Sequence, residues 1–212
     1  MAEWDAYLKL LAGLIAVVDP IGAIPVFLSL TESRSVQERR RSAWVGALAV
    51  AAVMLLALVS GEALLRLFGI GLPAFRVAGG ILILSMGLTM LQASHDRSRQ
   101  TPEEHAESAD KDSIAVVPLA IPLLSGPGAI STIIVYANLG SGLGHFLLLA
   151  AVILSVAVLV LVALLMAHRI ATWLSRTAIN VISRVMGLII TAIAVEFIAR
   201  GLVELFPVLG RS

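Results

Sequence analysis

The stretch Val17-Val18-Asp19-Pro20-Ile21-Gly22-Ala23-Ile24-Pro25-Val26-Phe27 lies inside a long apolar segment and interrupts it with a carboxylate, two prolines and a glycine. Proline removes a backbone donor and clashes with the preceding helical turn, and glycine loosens the backbone. The stretch therefore predicts a helix that breaks near its middle. Outward from this point, the chain is apolar in both directions.

The composition is that of a membrane protein. The 212 residues are 59% hydrophobic and only 14% charged, with a mean hydropathy of +0.99. A soluble domain has about 25% charged residues. The values exclude a soluble enzyme, a disordered chain and, with a net charge of +1, a nucleic-acid binder as default interpretations. The absence of cysteine excludes disulfides and thiolate metal sites, and we expect no cofactor and no metal.

The apolar runs predict six membrane-spanning helices, because a bilayer core of about 30 Å needs roughly 20 apolar residues per helix. They cover about Tyr7–Leu30, Ala43–Leu64, Pro73–Ser94, Ser113–Leu139, Gly144–Ala167 and Ile182–Leu205. Ten of the 15 Lys and Arg residues lie in the loops after spans 1, 3 and 5. The positive-inside rule then places these loops in the cytoplasm and both termini outside.

The two halves of the chain resemble each other. Arg76-Val77-Ala78-Gly79 recurs as Arg184-Val185-Met186-Gly187, 108 residues later. Each half has three spans, an odd number, so the two copies enter the membrane from opposite sides. The fold class predicted is all-α: two inverted three-helix repeats at 1–94 and 113–212, joined by a polar cytoplasmic loop at 95–112.

The fourth span contains a second break, in the segment PLAIPLLSGPGAIST at residues 118–132. After each break a half-helix begins, whose free amides and positive dipole suit a carboxylate. Those amides belong to Gly22, Ala23, Ile24, Gly128, Ala129 and Ile130, with the hydroxyls of Ser131 and Thr132 nearby. The carbonyl ends before the breaks, near Val18 and Leu124, suit an ammonium group or a cation. A zwitterionic amino acid fits this arrangement, and so does a small anion.

Two carboxylates within the spans are the candidates for binding or proton transfer. Asp19 lies at the first break, where it binds an ammonium group, carries a proton or caps the turn. Glu196 lies in span 6 with Arg200 four residues later, so a surface ion pair is the simpler interpretation. His145 and His168 lie at span ends and belong to no cluster with metal-ligand spacing.

The two breaks resemble the motifs of the MarC family. Residues 19–27 match D-P-x-G-x-x-P-x-F, and residues 118–132 match P-L-A-x-P-L-L-x-G-P-G-x-I-S/T. The resemblance covers essentially the whole chain and implies an inner-membrane secondary transporter of small neutral amino acids such as glycine and alanine. The coupling ion implied is a proton, with sodium as the alternative. Ala23 stands where the family often has Asn, which removes one side-chain hydrogen bond from the implied site.

The function predicted is alternating-access transport in the cell membrane of a bacterium or archaeon, with substrate held between the two breaks. The predicted contacts are Asp19, Gly22, Ala23, Ile24, Leu124, Ser125, Gly126, Gly128, Ala129, Ile130, Ser131 and Thr132. Asp19 and Glu196 are the proton-coupling candidates. An exporter of amino acids, other small metabolites or drugs, an ion-conducting channel and an accessory membrane subunit stay open as alternatives, and an intramembrane enzyme ranks last. A homo-oligomer is also left open.

Overall fold

The computed structural model describes residues 2–31, 34–91, 125–173 and 176–210. This part of the chain is helical and contains no β-strand. Its α-helices are α1 (Ala2–Val18), α2 (Ala23–Leu30), α3 (Val36–Leu67), α4 (Leu72–Leu91), α5 (Pro127–Ala137), α6 (Leu143–Leu165), α7 (Ala167–Trp173) and α8 (Arg176–Leu205). A short 3₁₀ turn follows at Pro207–Gly210.

Four of these helices are long and apolar enough to cross a membrane. They are α3, α4, α6 and the Val181–Leu205 part of α8. These four confirm predicted spans 2, 3, 5 and 6 as apolar helices. Predicted span 1 corresponds to α1 and α2 together, and the second half of span 4 corresponds to α5. The first half of span 4 and the polar loop at 95–112 lie outside the described residues.

The long helix α3 begins at a capping box. The Ser35 hydroxyl accepts a hydrogen bond from the backbone amide of Glu38 (3.3 Å), and the Glu38 carboxylate accepts one from the backbone amide of Ser35 (2.8 Å). This exchange satisfies two amides that the first helical turn leaves without partners. The helix then packs along α6, where the buried side chains include Val50 and Met54 of α3 and Ile153 of α6.

Helices α4 and α8 form an antiparallel pair at very short range. A Cβ atom added at Gly80 would lie 3.1 Å from the Ala194 carbonyl oxygen, and one added at Gly87 would lie 3.0 Å from the Gly187 carbonyl oxygen. As the residue number rises along α4, the number of the contacted residue on α8 falls, so the two helices run in opposite directions. Glycine permits this approach because it has no side chain between the two backbones.

The short helix α5 is packed among the other helices of the described part of the chain. It contacts α1, α3, α4 and α6, and most of its side chains are buried. Large apolar side chains on the outer faces of the long helices are nevertheless exposed, among them Leu48, Val59, Leu147, Val158 and Leu188. A surface this apolar suits lipid rather than water.

Candidate functional site

The predicted break in span 1 is present between α1 and α2. Helix α1 ends at Val18, and α2 begins at Ala23. Asp19 at the corner has φ +44°, in the left-handed region, and its Oδ1 accepts a hydrogen bond from the Gly22 amide at 3.0 Å. Aspartate is one of the few residue types that tolerate this backbone conformation, because its short side chain bonds the local backbone. The Asp19 side chain therefore fixes the turn that separates the two half-helices.

Gly22 is required by the position of that carboxylate. A Cβ atom at residue 22 would overlap Asp19 Oδ2. Any other residue at this position would push the carboxylate away from the amide that it accepts from. The aspartate and the glycine, three residues apart, are therefore both needed for this turn.

The three amides predicted to bind substrate at this break already have partners in the structure. The Gly22 amide donates to Asp19 Oδ1, the Ala23 amide to the Asp19 carbonyl (3.1 Å) and the Ile24 amide to the Ile21 carbonyl (3.1 Å). A carboxylate that binds here has to replace at least one of these bonds. Asp19 was predicted to bind an ammonium group, to carry a proton or to cap the turn, and its hydrogen bond to Gly22 is that of a turn cap. Its side chain is half-buried.

The start of α5 is the second part of the site. Gly126 is its N-cap and provides no side-chain cap, and Pro127 is the first helical residue. The amides of Ala129 and Ile130 donate to the Gly126 carbonyl at 3.0 and 3.3 Å. This bonding uses two further amides that the sequence predicts as substrate donors.

The two hydroxyls in the next turn are also bonded within the helix. Ser131 Oγ donates to the Pro127 carbonyl at 2.7 Å, and Thr132 Oγ1 donates to the Gly128 carbonyl at 2.8 Å. Both side chains are buried. Each hydroxyl oxygen keeps its capacity to accept a further hydrogen bond.

Ser125 differs from these two residues. Its side chain is 1% exposed, and its buried Oγ has no hydrogen-bond partner within the described part of the chain. A buried hydroxyl without a partner costs about 1–3 kcal/mol. It is therefore the group at this break best placed to gain from a polar ligand. Leu124, the predicted carbonyl ligand before it, lies outside the described residues.

The structure brings the end of α1 and the start of α5 into contact. A Cβ atom at Gly128 would lie 3.3 Å from Val17 Cγ1 and 2.9 Å from Ile83 Cγ1. Val17 lies two residues before Asp19, and Gly128 three residues after Ser125, so the two breaks are neighbours. Ile83 belongs to α4 and was not expected from the sequence. Gly79, one turn earlier on α4, is the signal that the sequence offers, because a glycine inside a membrane helix allows another helix to approach closely. In the structure a Cβ at Gly79 would lie 2.5 Å from the Ser131 Cβ.

Glu196, the second proton-coupling candidate, is not buried with these residues. Its side chain on α8 is 60% exposed and accepts a hydrogen bond from Arg200 Nε at 2.7 Å. The surface ion pair between Glu196 and Arg200, one helical turn apart, is the simpler interpretation given by the sequence. No group of three His, Asp or Glu side chains in the described ranges is arranged to hold a metal ion.

A further polar contact joins α1 to the second half of the chain. The Tyr7 hydroxyl lies 2.7 Å from His145 Nδ1, and His145 Nε2 lies 3.0 Å from the Tyr136 carbonyl oxygen. Because a carbonyl only accepts, Nε2 carries the proton and Nδ1 accepts from Tyr7 when the ring is neutral. The sequence places His145 at a span end and does not indicate this contact, because its partners are 9 and 138 residues away.

Comparisons with known proteins extend over nearly the whole chain. The family model described as MarC family integral membrane protein matches residues 4–206. The UPF0056 membrane protein YhcE of Escherichia coli (strain K12) is 38% identical over 213 residues, which cover 97% of this chain and 95% of the relative. The UPF0056 membrane protein YvbG of Bacillus subtilis (strain 168) is 40% identical over 201 residues, covering 92% and 93%.

A third relative has a comparable identity over a slightly shorter match. The UPF0056 membrane protein MJ1677 of Methanocaldococcus jannaschii is 38% identical over 192 residues, which cover 90% of this chain and 93% of the relative. No solved structure gives a significant match.

Proposed function

Because the chain belongs to the MarC family of integral membrane proteins, we propose that it is a secondary active transporter of small neutral amino acids, of the glycine and alanine type. It is a multi-pass protein of the cell membrane of a bacterium, where this is the inner membrane, or of an archaeon, and it catalyses no covalent chemistry. The observation that carries the proposal is the buried hydroxyl of Ser125, without a partner among the described residues and next to the contact between Val17 and Gly128.

The substrate binds between the α1–α2 break and the start of α5. Its carboxylate interacts with the positive end of α5 and accepts a hydrogen bond from Ser125. Its ammonium group interacts with Asp19, the one half-buried carboxylate at the break. The tight packing of Gly128 against Val17 and Ile83 favours a substrate with a very small side chain. An amino acid satisfies both charges of this site, whereas a small anion leaves Asp19 without a counter-charge.

The helix pairing supports two inverted three-helix repeats. Span 2 packs on span 5 as α3 on α6, and span 3 packs on span 6 as α4 on α8. Each helix thus contacts its own counterpart in the other repeat, as expected for helices near a two-fold axis. Alternating access then consists of a movement of one repeat against the other around the central breaks.

Transport is coupled to a proton gradient in this proposal, and sodium is the alternative ion. Asp19 carries the proton, because it is the carboxylate at the break and its bond to Gly22 can be exchanged for a bond to substrate. Glu196 is the weaker candidate, since it is exposed and paired with Arg200.

Both termini and the Tyr7–His145 contact lie on the outer side.

The test is uptake of radiolabelled glycine into proteoliposomes under an imposed proton gradient. We expect saturable uptake that the gradient stimulates. Ser125→Ala should raise KM about tenfold, the loss of one hydrogen bond of about 1.4 kcal/mol. The matched control is Ser155→Ala, which removes an exposed hydroxyl that donates to the Ala151 carbonyl of α6.

Two results would contradict the proposal. The first is the absence of movement of any small amino acid in either direction, measured by uptake and by counterflow from preloaded vesicles. The second is a flux that rises linearly with glycine concentration, as expected for a channel. Counterflow with opposed gradients also separates import from export.

A further inference from the structure

A cavity of about 300 Å³ lies between the start of α3 and the junction of α6 with α7, away from the two breaks. It is lined by Val36, Arg39, Arg40, Leu164, Leu165, His168 and Arg169. The lining therefore combines basic groups with apolar side chains. The lining residues come from two segments more than 120 residues apart in the sequence, and each segment contributes both basic and apolar side chains.

The cavity lies at the end of the apolar spans, where the membrane surface is expected. Arg39 and Arg40 lie in the polar first turns of α3, just before the apolar run that begins at Ala43. Trp44 on α3 and Trp173 at the end of α7 are both exposed. Tryptophan is enriched where lipid headgroups meet the hydrocarbon core. The cavity therefore opens at headgroup depth, on the side that carries the Arg-rich loops.

Arg39 is held in place but incompletely bonded. Its Nη2 donates to the Thr31 carbonyl at 3.1 Å, while its buried Nε has no hydrogen-bond partner within the described residues. The neighbouring acidic side chain, Glu38, accepts hydrogen bonds from both the amide and the hydroxyl of Ser35. A half-buried guanidinium gains from a nearby negative charge, because partial burial has removed some of its hydration.

We propose that this cavity binds the phosphate of an anionic phospholipid, with the headgroup against the basic residues and the upper acyl chains against Leu164 and Leu165. Arginine provides paired donors that match the geometry of a phosphate group. A basic surface alone is ordinary on the cytoplasmic side of a membrane protein. The concave shape and the apolar wall beside the charges favour a lipid over a diffuse counter-ion layer.

Native mass spectrometry of the purified protein in detergent tests the proposal. The probes are phosphatidylglycerol and phosphatidylcholine with identical acyl chains, so that only the headgroup charge differs. We expect preferential retention of phosphatidylglycerol, and a loss of affinity of about fivefold in Arg40→Gln, as expected for one basic charge at a membrane surface. Arg40→Lys keeps the charge and should retain most of the preference.

The matched control is Arg66→Gln, which removes one exposed arginine from the opposite end of the same helix. It should leave retention unchanged. Arg39→Gln/Arg40→Gln should lose retention further, and its melting temperature reports whether the bond to Thr31 is needed for folding. If the double variant does not fold, the comparison of Arg40→Gln with Arg66→Gln still decides the outcome.

Three results would overturn the proposal. Equal retention of the two lipids would show that the cavity does not select an anionic headgroup. An equal loss in Arg40→Gln and Arg66→Gln would show that net charge, not this cavity, controls binding. Arg40-dependent binding of inorganic phosphate or glycerol phosphate without retention of phosphatidylglycerol would assign the site to a free phosphate.

Discussion

Asp19 and Gly22 are joined by a hydrogen bond of 3.0 Å from the glycine amide to the aspartate Oδ1, and the same carboxylate occupies the space that a Cβ atom at residue 22 would need. The pair closes the turn between α1 and α2, and Val17, two residues before Asp19, contacts Gly128 at the start of α5. A local sequence signal thus defines the geometry at the centre of the proposed transport site.

Gly22→Ala should destabilise the protein, because its Cβ overlaps Asp19 Oδ2 and forces the carboxylate out of the turn. We expect a loss of about 1–3 kcal/mol, the usual range for overpacking, measured as a lower melting temperature in detergent. Gly13→Ala is the control in the same predicted span, since the nearest atom would be 4.0 Å from its Cβ. Equal melting temperatures for the two variants would contradict the role of the turn.

Asp19→Asn separates the structural and the coupling roles of this side chain. Asparagine keeps an acceptor oxygen and tolerates a positive φ, so the variant should melt close to the wild type, whereas Asp19→Ala should lose about 1–2 kcal/mol. Transport by Asp19→Asn should lose its stimulation by a proton gradient. If glycine uptake and its pH dependence both persist unchanged in Asp19→Asn, Asp19 is only a turn cap.

Local features of this protein could be predicted from the sequence. The break at Asp19 and Gly22 is a property of residues close together in the sequence, and the positions of spans 2, 3, 5 and 6, though not the first residues of their helices, follow from runs of apolar residues. Such signals depend on backbone chemistry and on the thickness of a bilayer, which act without knowledge of the tertiary fold.

The tertiary contacts were not predictable in the same way. The sequence predicts that the backbone amides in the first turns of α2 and α5 are free. In the structure amides in these turns donate hydrogen bonds to nearby carbonyls, among them those of Asp19 and Gly126. The approach of Ile83 to Gly128 and the bond between Tyr7 and His145 join residues that are distant in the chain. Their formation depends on how whole helices pack, which periodicity alone does not specify.

Gly87→Ala should weaken the antiparallel contact between α4 and α8. Its Cβ would lie 2.5 Å from Thr191 Oγ1 and 3.0 Å from the Gly187 carbonyl oxygen, so the helices would have to separate. We expect a loss of about 1–3 kcal/mol in thermal denaturation. Gly144→Ala, at which a Cβ meets no atom within 4 Å, is the control and should be neutral or stabilising. A neutral Gly87→Ala would indicate that this interface adjusts without cost.

Single-cysteine labelling should reveal the sidedness of the chain, which has no natural cysteine. We expect a membrane-impermeant maleimide to label Ser141→Cys and Val208→Cys in intact bacterial cells. Gln37→Cys, at the start of α3, should react only after permeabilisation. All three positions are exposed, so a difference in labelling reports the side of the membrane. Labelling of Gln37→Cys alone in intact cells would reverse the predicted orientation.

Glu204→Gln should be more destabilising than Glu62→Gln, although each removes one carboxylate from an ion pair. Glu204 bonds Arg76, whose side chain is 6% exposed, and joins α4 to α8. Its loss leaves a buried guanidinium uncompensated, and the buried Arg76 Nε already has no hydrogen-bond partner among the described residues. Glu62 bonds Arg66 one turn away on α3, where the arginine is 79% exposed.

We expect a loss of about 1–3 kcal/mol for Glu204→Gln and of less than about 0.5 kcal/mol for Glu62→Gln, measured by denaturation in mixed micelles. The double variant Arg76→Met/Glu204→Gln should recover part of the loss, because it removes the uncompensated charge as well. High salt should change the Glu62 pair more than the Glu204 pair, since water and ions screen exposed charges more strongly. Equal losses in the two single variants would mean that burial of Arg76 contributes nothing to the pairing of α4 with α8.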